Sequence, residues 1–238
     1  MEMSGMLELA QEFAALGAEL HGDGDNDAAL RRMVELAAKE VPACEWASIT
    51  HLRRGNAQTL AYSDVVAARA DQLQYDLSEG PCLQAAEDGQ DYAIFDVEHE
   101  QRWPRYTAAL LEKTPVRSVL SFDLPAQQRA ALNLFSDRAG AFDDDSVDLG
   151  AIFAAHISTA VALYEAEERA GNLQTALDSN RQIGAAIGIL MAHRRVTQET
   201  AFELLRAASQ RLHVKLRDIA DDVVHTGTLP APRAADGA

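Results

Sequence analysis

From Asp143 to Arg195 the chain carries no proline, and its apolar residues recur at helical spacing. A helix that long, several times the usual length of about 11–12 residues, dictates the plan: one body packs around its start and another around its end. The stretch opens on "FDDDS", where carboxylates suit the positive end of a helix dipole. Asp143, Asp144 and Asp145 therefore read as a helix start and not as a cation site. From Leu163 onward, Leu163, Ala166, Ala170, Leu173 and Leu177 keep spacings of three and four, with Asn180 next. That is a short heptad seam, interrupted by Gly171. It predicts parallel pairing with a second copy of the chain; the competing reading is a helix packed on its own domain.

Ahead of the long helix the period changes repeatedly. Residues 1–21 read as an amphipathic helix through Leu9, Phe13, Leu16 and Leu20. A second helix runs to about Lys39 with Asp27 as its N-cap, and Val41-Pro42 ends it. "WASITHL" and "AQTLAYS" alternate as strands around the turn "RRGN". Then come the helix "VVAARADQLQYDL", a short helix starting near Pro81, the strand "DYAIFDV", the helix "WPRYTAALLEKT" and the strands "VRSVLSFDL" and "AALNLFSD". An antiparallel sheet with flanking helices is an α+β domain.

After the long helix, Thr197 is placed to cap a helix faced by Ala201, Leu204, Leu205, Ala208 and Leu212. "LHVK" turns the chain, and Leu216, Ile219, Ala220, Val223 and Val224 face a last helix stopped by "TGTLP". Three single-faced helices bury one another in a small bundle. Charge is distributed unevenly over this plan. The chain has a net charge of -16, yet residues 181–217 hold 7 Lys+Arg against 2 Asp+Glu, whereas residues 1–180 hold 13 against 31. A basic island on an acidic chain fits either a solvated helix face or a polyanion partner.

On an ideal helical wheel, Ile183, Ile187, Leu190 and Met191 form the expected core stripe of the segment "NRQIGAAIGILMAHRR". Gly184, Gly188 and Ala192 fall on another side, with Arg181 and Arg195 in the same sector. Each glycine costs about 1 kcal/mol relative to alanine inside a helix. Two uses would justify them: close packing of a neighbouring helix, or a bare surface on which a nucleic-acid backbone or base can lie while arginines meet phosphates. Phe202 is the single aromatic in the island, so no stacking platform of several rings is expected.

These residues carry a resemblance. Arg181-x-Ile183-Gly184-x-Ala186-x-Gly188-Ile189-Leu190-Met191, then Thr197, Ala201-Phe202, Arg206, Ser209-Gln210, Lys215-Leu216-Arg217-Asp218-Ile219-Ala220 and Val223-Val224 resemble the ANTAR domain, a three-helix RNA-binding module of bacterial antitermination regulators. Many relatives place Gln and Lys where this chain has Ala185 and Ile187, and Asn where it has His213. "EGPCLQAAEDG", the Trp103 region, "SVLSFDL", "ALNLFSD" and "FDDDSVDLGAIFAAHISTA" are similar to the GAF domain, a small-molecule sensory fold. The resemblance implies a GAF-like domain over 1–162, a coiled-coil linker helix over 163–180, an ANTAR-like all-α bundle over 181–230 and a disordered tail over 231–238. It also implies a dimer that binds paired hairpins in nascent leader RNA and prevents a terminator from forming, without covalent chemistry. The expected RNA contacts are Arg181, Gly184, Ala185, Gly188, Met191, Arg195, Arg206, Lys215 and Arg217. The alternative of another class is a dimeric ligand-sensing module whose bundle binds a protein.

Other chemistry finds little support. The chain has no Gly-rich phosphate loop, HExxH, nucleophile elbow or CxxC, so no enzyme is expected. His51, His99 and His156 stand alone in sequence, and no metal or cofactor is expected beyond an unidentified small-molecule ligand of the first domain. Cys82, after Gly80-Pro81, reads as a small buried hydrophobe or as a thiol acidified by a helix N-terminus. No apolar run approaches the roughly 18 residues of a membrane span. The N-terminus lacks the basic region of a secretory signal. Two cysteines give no disulfide framework, and a cytoplasmic location is expected.

Overall fold

In the computed structural model the described residues are 11, 12, 14, 15, 26–53, 56–125 and 129–230. The helix expected over 1–21 and the tail 231–238 lie outside them, apart from Gln11, Glu12, Ala14 and Ala15, which are helical. The chain divides into two units, residues 1–166 and 167–238.

The first unit contains α1 (Asn26–Glu40), β1 (Trp46–Arg53), β2 (Asn56–Tyr62), α2 (Val65–Leu77), α3 (Pro81–Asp88), β3 (Tyr92–Ile94), α4 (Pro104–Lys113), β4 (Ser118–Leu124), β5 (Arg129–Ser136) and the start of α5 (Asp144–Arg194). The strands form one sheet in the order β2-β1-β5-β4-β3, antiparallel throughout. Strand alternation assigns the two faces. Ile49, Leu120, Phe122, Leu132 and Leu134 meet Leu30, Met33 and Val34 of α1 and Phe153 and Ile157 of α5. Val119 and Phe135 meet Ala67, Ala70 and Leu73 of α2 and Tyr106 and Leu110 of α4 on the opposite face. Helices therefore cover both faces of the sheet, which is how an antiparallel sheet becomes a three-layer α+β core.

Local chemistry sets the element boundaries. Asp64 caps α2 by accepting from the Val66 N–H at 2.8 Å. Pro81 and Pro104 occupy the first turns of α3 and α4, where a missing N–H costs nothing. Asp143 accepts from both the backbone N–H (2.9 Å) and the hydroxyl (2.7 Å) of Ser146, and these bonds hold its carboxyl below the usual range. The acidic cluster is thus a helix start. Asp27 sits inside the first turn of α1, not at its cap, because the helix begins one residue earlier. Gly150 lets α5 approach β4 closely: a Cβ there would overlap the Phe122 ring.

By length and composition α5 could cross a membrane, contrary to the expectation that no run is apolar enough. Half of its apolar window is buried inside the protein. Phe153, Ala154, Ile157, Ala160 and Val161 are buried in the core of the first unit.

The second unit comprises the end of α5, α6 (Gln198–Leu212) and α7 (Leu216–Thr226). Its core is Ala186, Leu190, Ala201, Leu205, Ala208, Ile219, Ala220 and Val223. Four alanines among these eight let the helix axes come close. Thr197 caps α6, its hydroxyl accepting from the Thr200 N–H at 3.3 Å. His213 (φ 53°) and Gly227 (φ 75°) close α6 and α7 in the left-handed conformation.

Candidate nucleic-acid interface

The wheel placed the core stripe of the first bundle helix on Ile183, Ile187, Leu190 and Met191. In the structure Ala186 and Leu190 are fully buried, Ile183 and Ile187 half-buried, and Met191 37 % exposed. The stripe is rotated toward Ala186, which lies in the bundle core with Leu190, and Met191 moves to the edge. That shift turns Gly184, Ala185, Gly188 and Ala192 directly away from the core, and all four are exposed.

A Cβ built on Gly184 or Gly188 meets no atom within 4 Å. Packing among the described residues of one chain therefore does not require either glycine. A stability prediction follows. Gly184→Ala and Gly188→Ala each stabilise the bundle by about 1 kcal/mol, because helix propensity is gained and nothing is displaced. Urea unfolding followed by far-UV circular dichroism measures this, and a loss of stability would show a hidden packing role.

All nine expected contact residues are exposed. Their charges fall into different settings. Arg181 pairs with Asp178 at 3.8 Å. Arg217 pairs with Asp218 at 3.2 Å and lines an acidic notch of about 430 Å³ with Asp178, Asp221 and Asp222. Arg206 pairs with Glu203 at 3.3 Å. Such exposed pairs are worth about 0.2–1 kcal/mol, so a polyanion can compete for these arginines. Arg195 and Lys215 make no ion pair among the described residues. Arg195 stands directly after α5 at φ 54°, a conformation usually given to glycine. Lys215 occupies the cap position of α7 without a side-chain capping bond.

Backbone geometry also explains the departure at His213. The residue closes α6 at positive φ, where Asn is favoured among non-glycine residues. The exchange thus concerns a helix end.

The first unit offers a different environment. Between the sheet and α2–α4 lies a buried polar cluster. Asn133 Nδ2 donates to Thr50 Oγ1 (3.0 Å) and Asp71 Oδ1 (3.1 Å), and Ser121 donates to Asn133 Oδ1 (3.0 Å). Thr59 donates to Asp71 Oδ2 at 2.9 Å. Burial pushes the Asp71 carboxyl up to about 7, despite hydrogen bonds from Ser48, Thr59 and Asn133. Burial likewise raises the Cys82 thiol well above its ordinary value, so Cys82 is the inert buried thiol and not the acidified one. Gln74 Oε1 accepts from the Cys82 N–H at 2.9 Å, and a Cβ on Gly80 (φ 149°) would overlap that side chain. Gln74 Nε2 and Tyr106 Oη are buried without a hydrogen-bond partner among the described residues. Outside this cluster opens a cleft of about 1150 Å³ lined by Tyr75, Gly80, Gln84 and Trp103, among others.

The three histidines separate completely. His51 is buried against Glu165, His99 is exposed beside Asp96, and His156 is exposed. No group of three or more potential metal-ligating side chains occurs among the described residues.

The family comparisons match this division. A GAF domain is matched over residues 25–162 and an ANTAR domain over residues 171–224. No curated protein matches the chain. Among solved structures, the GAF domain of an Acinetobacter phosphoenolpyruvate-protein phosphotransferase is 14% identical, covering 67% of this chain and 96% of that one, with a TM-score of 0.50. Free methionine-R-sulfoxide reductase from Neisseria meningitidis in complex with its substrate is 16% identical over 66% of this chain and 89% of its own, with a TM-score of 0.49. The GAF domain of A. aeolicus nlh2 is 14% identical over 68% and 98%, with a TM-score of 0.48. At such identities a likeness concerns fold alone, and the first supports a GAF fold for the first unit. GAF domains are small-molecule sensors and ANTAR domains are RNA-binding antitermination regulators. The chain belongs to the GAF domain family, and it joins an ANTAR domain to that sensory fold.

Proposed function

We propose that this protein is a signal-responsive, cytoplasmic RNA-binding regulator. It binds paired hairpins in nascent leader RNA as a homodimer, keeps an intrinsic terminator from forming, and catalyses no reaction. The observation that carries this reading is the bare, outward face of Gly184, Ala185 and Gly188 on a bundle matched as an ANTAR domain. A helix that gives up stability at two positions with open space beside them is built for a visitor that needs the room. The exposed Arg181, Met191, Arg195, Arg206, Lys215 and Arg217 supply the rest of the contact set. The dimer reading rests on the linker seam, where Leu173 is 63 % and Leu177 48 % exposed within one chain. A second copy pairing along that seam would cover both. In this reading the first unit, with its buried polar cluster and outer cleft, receives the signal, and domain bounds of 1–162, 163–180 and 181–230 describe sensor, linker and RNA-binding module.

Electrophoretic shift with a two-hairpin leader RNA tests the proposal. Binding to the hairpin pair, none to a scrambled RNA of equal length, and affinity that falls steeply with salt are expected. Failure of a dimeric sample to shift any hairpin pair would favour the alternative, a bundle that binds a protein. Arg206→Ala is expected to weaken binding about tenfold and to make the slope of log K against log salt shallower by about 1, with the helix content unchanged. An unchanged affinity removes Arg206 from the contact set. In the same assay the Gly184→Ala and Gly188→Ala variants are expected to bind RNA more weakly even though they are more stable.

A further inference from the structure

The second unit contains one aromatic residue, Phe202, and no Trp or Tyr. Its core is filled by alanine, leucine, isoleucine and valine. A phenyl ring carries the largest apolar payload available to so small a bundle, yet Phe202 lies on the surface of α6, 37 % exposed. Its neighbours Ala201 and Leu205 are buried, and so is Ala208. Arg206 follows one helical turn later on the same side of α6, exposed and held only by the surface pair with Glu203. A partly exposed ring one helical turn from a cation is suited to a nucleotide, whose base is planar and whose phosphate is negatively charged.

We propose that Phe202 is the stacking residue of the RNA-binding module, that an unpaired base of the bound RNA covers its ring, and that Arg206 holds an adjacent phosphate. The inference rests on the RNA-binding reading above and adds to it the residue that distinguishes unpaired loops from duplex. A base in a helix has its faces occupied by its neighbours. Only a splayed loop base can present one to Phe202. One ring admits one base, so the expectation that a single aromatic cannot form a stacking platform gives way to a single-base contact.

The test uses the full chain and a two-hairpin RNA with 2-aminopurine substituted at successive loop positions. Phe202→Ala is expected to lose about 5- to 150-fold in affinity, the range of one base–aromatic stack. Its salt slope stays that of the wild type, because no phosphate contact is lost. Phe202→Leu keeps apolar bulk without a π-face and should fall with the alanine variant, while Phe202→Tyr restores binding. One 2-aminopurine position is expected to lose fluorescence on binding the wild type and not the alanine variant. Wild-type affinity in Phe202→Leu, or quenching unchanged in Phe202→Ala, overturns the stacking role while leaving RNA binding intact. A fall in self-association of Phe202→Ala with unchanged affinity per dimer would instead assign the ring to the contact between copies. If the wild type binds no hairpin pair, the underlying RNA reading itself fails.

Discussion

Replacing His51 by leucine is expected to destabilise the first unit by about 1–3 kcal/mol, the cost of removing one partner of a buried hydrogen bond. His51 on β1 and Glu165 on α5 are 1% and 0% exposed at their side chains, with Nε2 3.0 Å from Oε1. The other ring nitrogen, Nδ1, is buried without a hydrogen-bond partner among the described residues. The pair ties β1, an interior strand of the sheet, to α5 at Glu165, just before the division between the two units after Ala166. Leucine removes the hydrogen bond between the imidazole and Glu165. Both tryptophans, Trp46 and Trp103, belong to the first unit, so their fluorescence in urea reports that unit separately from the bundle. The double variant His51→Leu/Glu165→Leu removes both partners of the hydrogen bond and should recover part of the loss, as a double-mutant cycle would show. A single-variant cost below about 1 kcal/mol would mean that the pair does not hold the helix.

The second large effect is a pH dependence centred on Asp71. Its carboxyl is fully buried and has been raised from 3.8 to about 7. Below about pH 4 it is protonated in folded and unfolded chains alike and costs nothing. Between about pH 4 and 7 the unfolded chain releases the proton while the folded chain keeps it, so stability falls as pH rises. Above about pH 7 the full difference, about 4 kcal/mol, stands against folding. Asp71→Asn is neutral at every pH and should flatten this slope. Asn133 Nδ2 can still donate to the side-chain oxygen, and the Thr59 hydroxyl can reverse to accept from the amide. The carboxyls of Asp96, Glu100 and Asp143 are lowered by hydrogen bonds and act in the opposite sense, but both proteins share them. Urea midpoints at pH 5 and pH 8 give the comparison. Parallel pH profiles for the two proteins would show that Asp71 does not titrate in this window.

Both effects come from groups whose importance is invisible along the chain. His51 reads as one of three lone histidines, and Asp71 as one polar residue in an amphipathic helix. Their partners lie far away in sequence: 114 residues separate His51 from Glu165, and 62 separate Asp71 from Asn133. Periodicity records only local neighbours, so it marks neither pair. Phe202 was legible as the single aromatic of the basic island, but its exposure was not. The rotation of the α5 stripe toward Ala186 was likewise hidden, because spacing along one helix does not say which of its sides the two later helices cover.

The sequence by itself determined the order of elements, the helix starts at Pro81, Pro104, Asp143 and Thr197, the alternation that gives the sheet two buried faces, and the concentration of positive charge at residues 181–217. These features rest on backbone preference, capping and period, which act within a few residues of chain. Only the tertiary structure decided that Gly184 and Gly188 face open space, that Cys82 is a buried thiol, that Arg181 and Arg217 each pair with a nearby aspartate, and that His51 and Asp71 sit where water cannot reach. Burial and pairing depend on which distant segments meet, and one-dimensional spacing does not carry that information.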